Sequence, residues 1–226
     1  MDNSRKKEYV NMRDFLDYEA VRSNIVYNLI NTERNRELLI DMPHMDFFDM
    51  SIVFRCLLEQ GKFCSKCFYI YNVHMKLWGV SIEELYETAE VNTQRIEGSE
   101  IKNMMEIIGD IEEEENPEEF NRDSYMSKFS DNVPMYVLSN KNWIEGASCM
   151  LYPNLLRDFA DRIGSSFYII PSSIHELIII PTENLDDRKM IEEMLKECND
   201  TQINQEEILS YSLFWYSREN EKMSIL

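Results

Sequence analysis

The residues from Pro171 to Glu176 are the ones whose types and spacing come closest to a catalytic group. Ser172 and Ser173 precede His175 and Glu176, so a nucleophile, a base and an orienting carboxylate lie within one short segment. Neighbouring residues of an extended segment point to opposite faces, so His175 and Glu176 could share a substrate only if the chain bends there. The alternative is a polar bend whose hydroxyl groups bond the backbone. We favour the polar bend.

A metal site is the second kind of chemistry that the histidines suggest. Ile179 stands four residues after His175, where the helical zinc-protease pattern requires a second histidine. His44, with Asp46 and Asp49 behind it, offers three ligands, to which His175 could add a distant fourth. A histidine beside a proline turn is more often packed or hydrogen-bonded. We therefore predict no metal site and no cofactor.

The cysteines are odd in number, at positions Cys56, Cys64, Cys67, Cys149 and Cys198. The chain opens on polar and charged residues without the apolar segment of a secretory signal, so an odd count indicates reduced thiols and a cytoplasmic protein. Cys64 and Cys67 have the spacing of half a zinc knuckle, but the sequence has no second pair to complete the ligand set.

Charge is the strongest global feature of this chain of 226 residues. The sequence has 23 Lys and Arg against 42 Asp and Glu, which gives a net charge of -19. Residues 81–131 hold 16 acids and 4 bases, a net of -12, so most of the excess lies in one segment. Phosphates are repelled by this balance, and no long apolar span is present, so we predict no direct binding of nucleic acid and no membrane association.

The elements that must position these residues alternate between strands and helices. In the first half the patterns predict strands over 25–30, 47–54 and 67–73, a helix from Ser81 with a capping box to Glu84, and a helix over 101–108. In the second half they predict strands over 135–139, 147–152, 167–170, 177–180 and 211–216, and helices over 155–163 and 190–198.

This order predicts an α+β fold with mostly antiparallel sheets and helices packed on one face. Residues 110–132 are acidic and poor in apolar side chains, which predicts a mobile linker. It would join an N-terminal α+β half, 1–109, to a C-terminal half, 133–226, of order β-β-α-β-β-α-β. One continuous domain is the alternative.

Several short blocks resemble those of one protein family. They are Leu29-Ile30-Asn31, Pro43-His44, Leu77-Trp78-Gly79, Tyr136-Val137-Leu138-Ser139-Asn140, Gly146-Ala147, Leu151-Tyr152-Pro153 and Pro171-Ser172-Ser173-Ile174-His175-Glu176. Through these blocks the chain resembles an uncharacterised domain-of-unknown-function family of anaerobic Firmicutes. The resemblance implies a bacterial protein with a shared α+β fold, and it implies no activity and no catalytic residues.

Three functional hypotheses follow from the sequence. The first is a non-enzymatic, acidic, cytoplasmic protein-interaction module whose partner has a basic contact face. The second is a hydrolase-type enzyme that combines the His175–Glu176 block and its serines with His44 and Asp49. The third is an acidic inhibitor, carried by a mobile element, of a nucleic-acid-binding defence enzyme. The charge favours the first hypothesis over an enzyme.

Overall fold

The computed structural model describes residues 14–59, 66–118, 121–127, 134–171, 173–181 and 188–226. The chain separates into two compact units, Met1–Gly98 and Ser99–Leu226. Both units combine helices with antiparallel sheets, so the predicted α+β class is confirmed. Within the described ranges, no helix has both the length and the apolar composition that crossing a bilayer requires.

The first unit is organised around its longest strand, β3. The strands described in its sheet are β1 (Ile25–Asn31), β2 (His44–Phe47), β3 (Met50–Glu59) and β4 (Lys66–Tyr69). Its α-helices are α1 (Tyr18–Val21), α2 (Arg36–Leu39), α3 (Asn72–Trp78) and α4 (Ile82–Glu97). The central strand pairs antiparallel with β1, β2 and β4, so it is covered along both edges.

Helix α4 lies beside strand β1. It begins where the sequence predicts, because the Ser81 side chain accepts a hydrogen bond from the backbone N–H of Glu84 at 3.2 Å. Farther along, Thr93 Oγ1 accepts from the backbone N–H of Tyr27 at 3.0 Å, and the rings of Tyr27 and Tyr86 stack with centroids 5.8 Å apart. A side-chain hydroxyl of α4 thus satisfies a backbone N–H of strand β1.

The second unit contains a six-stranded sheet of order β10-β9-β7-β8-β6-β5. Its strands are β5 (Glu100–Asn103), β6 (Tyr136–Ser139), β7 (Phe167–Ile170), β8 (Leu177–Pro181), β9 (Phe214–Ser217) and β10 (Lys222–Ile225). Its α-helices are α5 (Met104–Glu115), α6 (Arg122–Ser127), α7 (Leu155–Ile163) and α8 (Arg188–Thr201), and Gly146–Leu151 form a 3₁₀ helix.

Helices α7 and α8 pack on opposite faces of this sheet. Phe167 of β7 contacts Phe159 of α7, with ring centroids 5.5 Å apart. Ile170 has the opposite orientation on the same strand and packs against Ile191 and Leu195 of α8. The sequence predicted helices on one face of the sheet. In the structure helices pack on both faces, because β7 has apolar side chains on both sides.

Several local expectations differ from the structure. The segment predicted as a strand over 147–152 is a 3₁₀ helix, because the N–H groups of Gly146 and Ala147 bond the carbonyls of His175 and Ile174 rather than a strand partner. The last predicted strand, over 211–216, begins only at Phe214 as β9, and it pairs with a further strand, β10, that was not predicted. The second unit therefore does not follow the predicted order β-β-α-β-β-α-β.

The boundary between the two units lies between Gly98 and Ser99, ahead of the boundary at 109 that the sequence suggested. Strand β5 explains the difference. It occupies the first part of a segment predicted to be a helix over 101–108, and it pairs antiparallel with β6. A strand that completes the second sheet belongs to the second unit.

The acidic range 110–132 is partly helical. Helix α5 continues to Glu115, and α6 lies within the same range. Arg122 of α6 forms ion pairs with Asp110 at 2.6 Å and with Glu113 at 2.5 Å, which ties α6 to α5. The predicted mobility of this range stays a prediction.

Candidate functional site

The polar bend between β7 and β8 contains the residues for which the sequence suggested catalysis. Its backbone is bonded to the segment that follows β6. The carbonyl of His175 accepts hydrogen bonds from Ser139 Oγ at 2.7 Å and from the N–H of Gly146 at 3.0 Å, and the carbonyl of Ile174 accepts from Ala147 at 3.1 Å. The bend is therefore a junction between two distant segments of the second unit.

The imidazole of His175 has a polar group at each ring nitrogen. The backbone N–H of Glu145 donates to Nδ1 at 3.1 Å. An acceptor nitrogen carries no proton, so this hydrogen bond assigns the ring hydrogen to Nε2 in the neutral form. Nε2 lies 3.6 Å from Oε1 of Glu207. The one lone pair that a neutral imidazole could use to remove a proton is thus occupied by the backbone.

Ser173 stabilises the bend through its side chain. Its side chain is buried, and its hydroxyl oxygen accepts a hydrogen bond from the backbone N–H of His175 at 2.9 Å. Burial raises the pKa of Glu176, while His175 and a hydrogen bond from Ser173 act in the opposite direction. A serine hydroxyl engaged with a backbone N–H and a carboxylate caps a turn. Ser172, the other candidate nucleophile, lies outside the described residues.

The loop that His175 contacts, residues 140–146, has an unusual backbone. Trp143 and Glu145 both adopt positive φ, 58° and 54°, which is uncommon for residues with bulky side chains. Asn140 holds the loop: its Nδ2 donates to the carbonyl of Ile144 at 2.7 Å, and its Oδ1 accepts from the N–H of Asn142 at 3.0 Å. These contacts fix the backbone around Trp143, whose side chain is half-buried.

Gly146 ends this loop at a point where three backbone segments meet. A Cβ atom added there would overlap Ser139 Oγ and the backbone nitrogen of Asn140, and it would lie 2.8 Å from the carbonyl oxygen of His175. In the sequence, Gly146 was notable only as part of the Gly146-Ala147 block. The partner of His175, Glu207, was missed altogether, because nothing local links residues 32 positions apart.

His44 and Asp49, the remaining candidates, belong to the first unit. Nδ1 of His44 donates to the carbonyl of Met42 at 2.9 Å, so this histidine fixes the start of β2. Asp46 is exposed farther along the strand, and Asp49 lies in the turn to β3. In the described part of the chain, no three His, Cys, Asp or Glu side chains are arranged to hold a metal ion.

The cysteines lie in contrasting environments. Burial raises the pKa of the Cys56 thiol to about 12, which leaves almost no thiolate at neutral pH. Cys149 is also buried, and Cys67 is exposed on β4. Cys64, the other half of the predicted Cys64–Cys67 pair, lies outside the described residues.

Helix α5 carries the densest acidic surface that the structure describes. Asn103 caps its start by accepting a hydrogen bond from the N–H of Met105 at 2.8 Å. Its last turn consists of four exposed glutamates, Glu112 to Glu115, and itself contains no basic residue. The acidic excess that was predicted to lie in a linker is therefore presented, in part, by a helix.

The comparison with family models gives one match. The model of a family of unknown function, DUF5688, covers residues 1–218, which include the bend, the loop and helix α5. No curated protein and no solved structure matches the chain. Since the model extends over both compact units, the chain belongs to the family of unknown function DUF5688.

Proposed function

We propose that this chain is a non-enzymatic, cytoplasmic protein-interaction module, whose acidic surface meets a basic contact face on a protein partner. The observation that carries the proposal is the last turn of α5, where Glu112 to Glu115 are all exposed. It lies within the segment 81–131, whose net charge is -12.

The physics of such a surface favours a basic protein as the partner. The field of exposed carboxylates extends about one Debye length, ~8 Å at physiological salt, so they act at close approach. Opposite charges increase the association rate more than they increase the final affinity. Nucleic acid would be repelled by the same field, so the proposal excludes it as a direct ligand.

The bend around His175 supports this proposal over the hydrolase hypothesis. A serine hydrolase requires a histidine with a free lone pair directed at the serine hydroxyl. Nδ1 of His175 accepts from the Glu145 N–H, and the hydroxyl oxygen of Ser173 accepts from the backbone of the bend. This arrangement favours a structural role for the bend.

Charge reversal of the helix end tests the proposal. We would change Glu112, Glu113, Glu114 and Glu115 to Lys; lysines at a helix C-terminus interact favourably with the helix dipole, so α5 should persist. The control reverses four exposed acids on other parts of the second unit: Glu193, Glu197, Glu206 and Glu219. Both variants have the same net charge.

The measurement begins with capture of partners from the cells that produce the protein, followed by association kinetics with the purified partner. We expect a partner with a basic contact face, whose association slows as salt rises. At low salt the association rate of the α5 variant should be about tenfold lower than that of the unmodified protein. The association rate of the control should change much less. Equal association rates for the α5 variant and the unmodified protein would refute the proposed function.

A further inference from the structure

Helix α5 exposes apolar side chains together with its acids. Ile108 is 36% exposed and Ile111 is 51% exposed, and of all the residues in the helix only Gly109 is buried. Residues three apart lie on the same side of a helix, so the two isoleucines form one short strip. In the part of the second unit that the structure describes, an apolar side of this helix is therefore exposed.

The charges of α5 are divided between two sides of the helix. Glu112 follows Ile108 by four residues and Glu115 follows Ile111 by four residues, so both carboxylates lie beside the strip. Asp110 and Glu113 lie on the other side, where Arg122 forms ion pairs with both (Asp110 at 2.6 Å). The arginine of α6 thus neutralises the side away from the isoleucines. We call Ile108, Ile111, Glu112 and Glu115 the α5 strip.

The last turn of the helix contains only acids, and Arg122 of α6 pairs with only one residue of that turn, Glu113. Glutamates in the last turn lie at the negative end of the helix dipole, and Glu112 and Glu115, three apart, repel each other. No basic residue occurs in this last turn. A cation placed over the turn would relieve both unfavourable interactions. The helix is therefore more stable with a positively charged partner than without one.

We propose that the α5 strip docks an amphipathic segment of a partner protein, in which apolar side chains cover Ile108 and Ile111 while flanking Lys or Arg residues meet Glu112 and Glu115. This inference rests on the proposed function and names the surface and the chemistry of its partner. Charge complementarity selects this occupant. A second copy of the chain, with a net charge of -19, an anionic membrane surface and a nucleic acid would each bring negative charge to the strip.

The test uses two short synthetic peptides as probes. One has leucines spaced three and four residues apart among lysines, so that its leucines share a helical face, and the other has serine at every leucine position. Binding of each labelled peptide to the full chain is followed by fluorescence anisotropy at several salt concentrations. We expect the leucine peptide to bind at least about tenfold more tightly than the serine peptide, because only the leucine side chains can cover the two isoleucines.

Two double variants locate the binding. Ile108→Ser with Ile111→Ser should remove the advantage of the leucine peptide. Val73→Ser with Leu77→Ser, an exposed pair on α3 that is 64% and 54% exposed, is the matched control and should leave the advantage unchanged. In the complex, amide hydrogen exchange of Glu112–Glu115 should slow by about tenfold, since the cation stabilises the last turn.

Three results would overturn the α5 strip as a docking surface. They are equal binding of the two peptides, full affinity for the leucine peptide after loss of the isoleucines, and an equal loss in the α3 control. The proposed function is judged separately. If the fourfold charge reversal of Glu112–Glu115 still weakens partner association while the isoleucine variant does not, the acidic surface binds by charge alone and only this inference fails.

Discussion

The backbone N–H of Glu145 and Nδ1 of His175 are joined by a hydrogen bond of 3.1 Å that links segments 30 residues apart. The bond connects a loop residue with positive φ to a bend between two strands. It requires the imidazole to be unprotonated at Nδ1, so the ring acts as an acceptor for the backbone. His175 in this arrangement holds the loop of residues 140–146 to the sheet.

Substitution of His175 tests this role directly. His175→Ala removes the acceptor of the Glu145 N–H, which should lower the free energy of unfolding by about 1–3 kcal/mol. His175→Asn places an amide oxygen near the position of Nδ1, so it should retain at least half of that stability. Urea denaturation of both variants is the measurement. Equal losses would show that the hydrogen bond to Glu145 contributes nothing specific.

A methyl group at Gly146 should be far more disruptive than one at another glycine of the same unit. In Gly146→Ala the new Cβ would overlap Ser139 Oγ and the Asn140 nitrogen, which should cost about 3 kcal/mol or more. Gly164→Ala is the control: Gly164 has φ of 75° but no atom within 4 Å of its Cβ position, so only backbone strain of about 1 kcal/mol is expected. Thermal denaturation compares the two, and similar losses would contradict the close packing at Gly146.

The helices and strands that the sequence predicted correctly are those whose own residues determine them. The helix over 155–163 is confirmed, and Gly164, directly after it, has the left-handed conformation of a C-terminal cap. Of the predicted capping box, the hydrogen bond from the Glu84 N–H to the Ser81 side chain is confirmed. The apolar strands over 167–170 and 177–180 are also confirmed, because each lies between turn residues and is rich in β-branched side chains.

The remaining elements depend on contacts that are distant in sequence. Residues 147–152 have the composition of a strand, yet bonds from Gly146 and Ala147 to the bend at His175 make the segment a 3₁₀ helix. The segment from 101 has a helical pattern, but its first residues pair with β6 instead. The same limitation applies to the candidate site, because no local pattern brings Glu207 to His175.

The ion pair of Arg55 and Glu97 is the buried charge pair whose loss should most affect the first unit. The two groups are 2.8 Å apart and both side chains are only 6% exposed. Glu97→Gln would leave the arginine buried without its carboxylate, which should cost about 3–5 kcal/mol. Replacing both residues, as in Arg55→Met with Glu97→Leu, should recover most of that loss. A double-mutant cycle from urea denaturation measures the difference, and a double variant as unstable as Glu97→Gln would contradict the prediction.

Arg122 should protect the acidic range 110–132 from proteolysis. We predict that limited digestion cuts this range first, because acidic, exposed segments are readily accessible. The ion pairs of Arg122 with Asp110 and Glu113 hold α6 on α5, so Arg122→Gln should speed cleavage within the range. Arg188→Gln, which removes an exposed ion pair to Glu192 on α8, is the control and should leave the rate unchanged. A first cut outside 110–132 would show that the range is not the most accessible part of the chain.

His74 should make the stability of the first unit depend on pH. It packs among the rings of Phe15, Phe68 and Trp78, and its Nδ1 accepts a hydrogen bond from the backbone N–H of Tyr71 at 2.9 Å. Burial lowers the pKa of His74, so the folded unit favours the neutral ring.

The sign of the effect follows from this lowered pKa. The contribution of His74 to stability is complete above the unfolded pKa of about 6.5 and is lost as pH falls through the lower pKa of the folded state. His74→Asn keeps an acceptor for the Tyr71 N–H but cannot be protonated, so its stability should change less over the same pH range. Unfolding is followed through the fluorescence of Trp78 in a background of Trp143→Phe and Trp215→Phe. If the Asn variant loses as much stability on acidification as the His protein, carboxylates and not His74 govern the response.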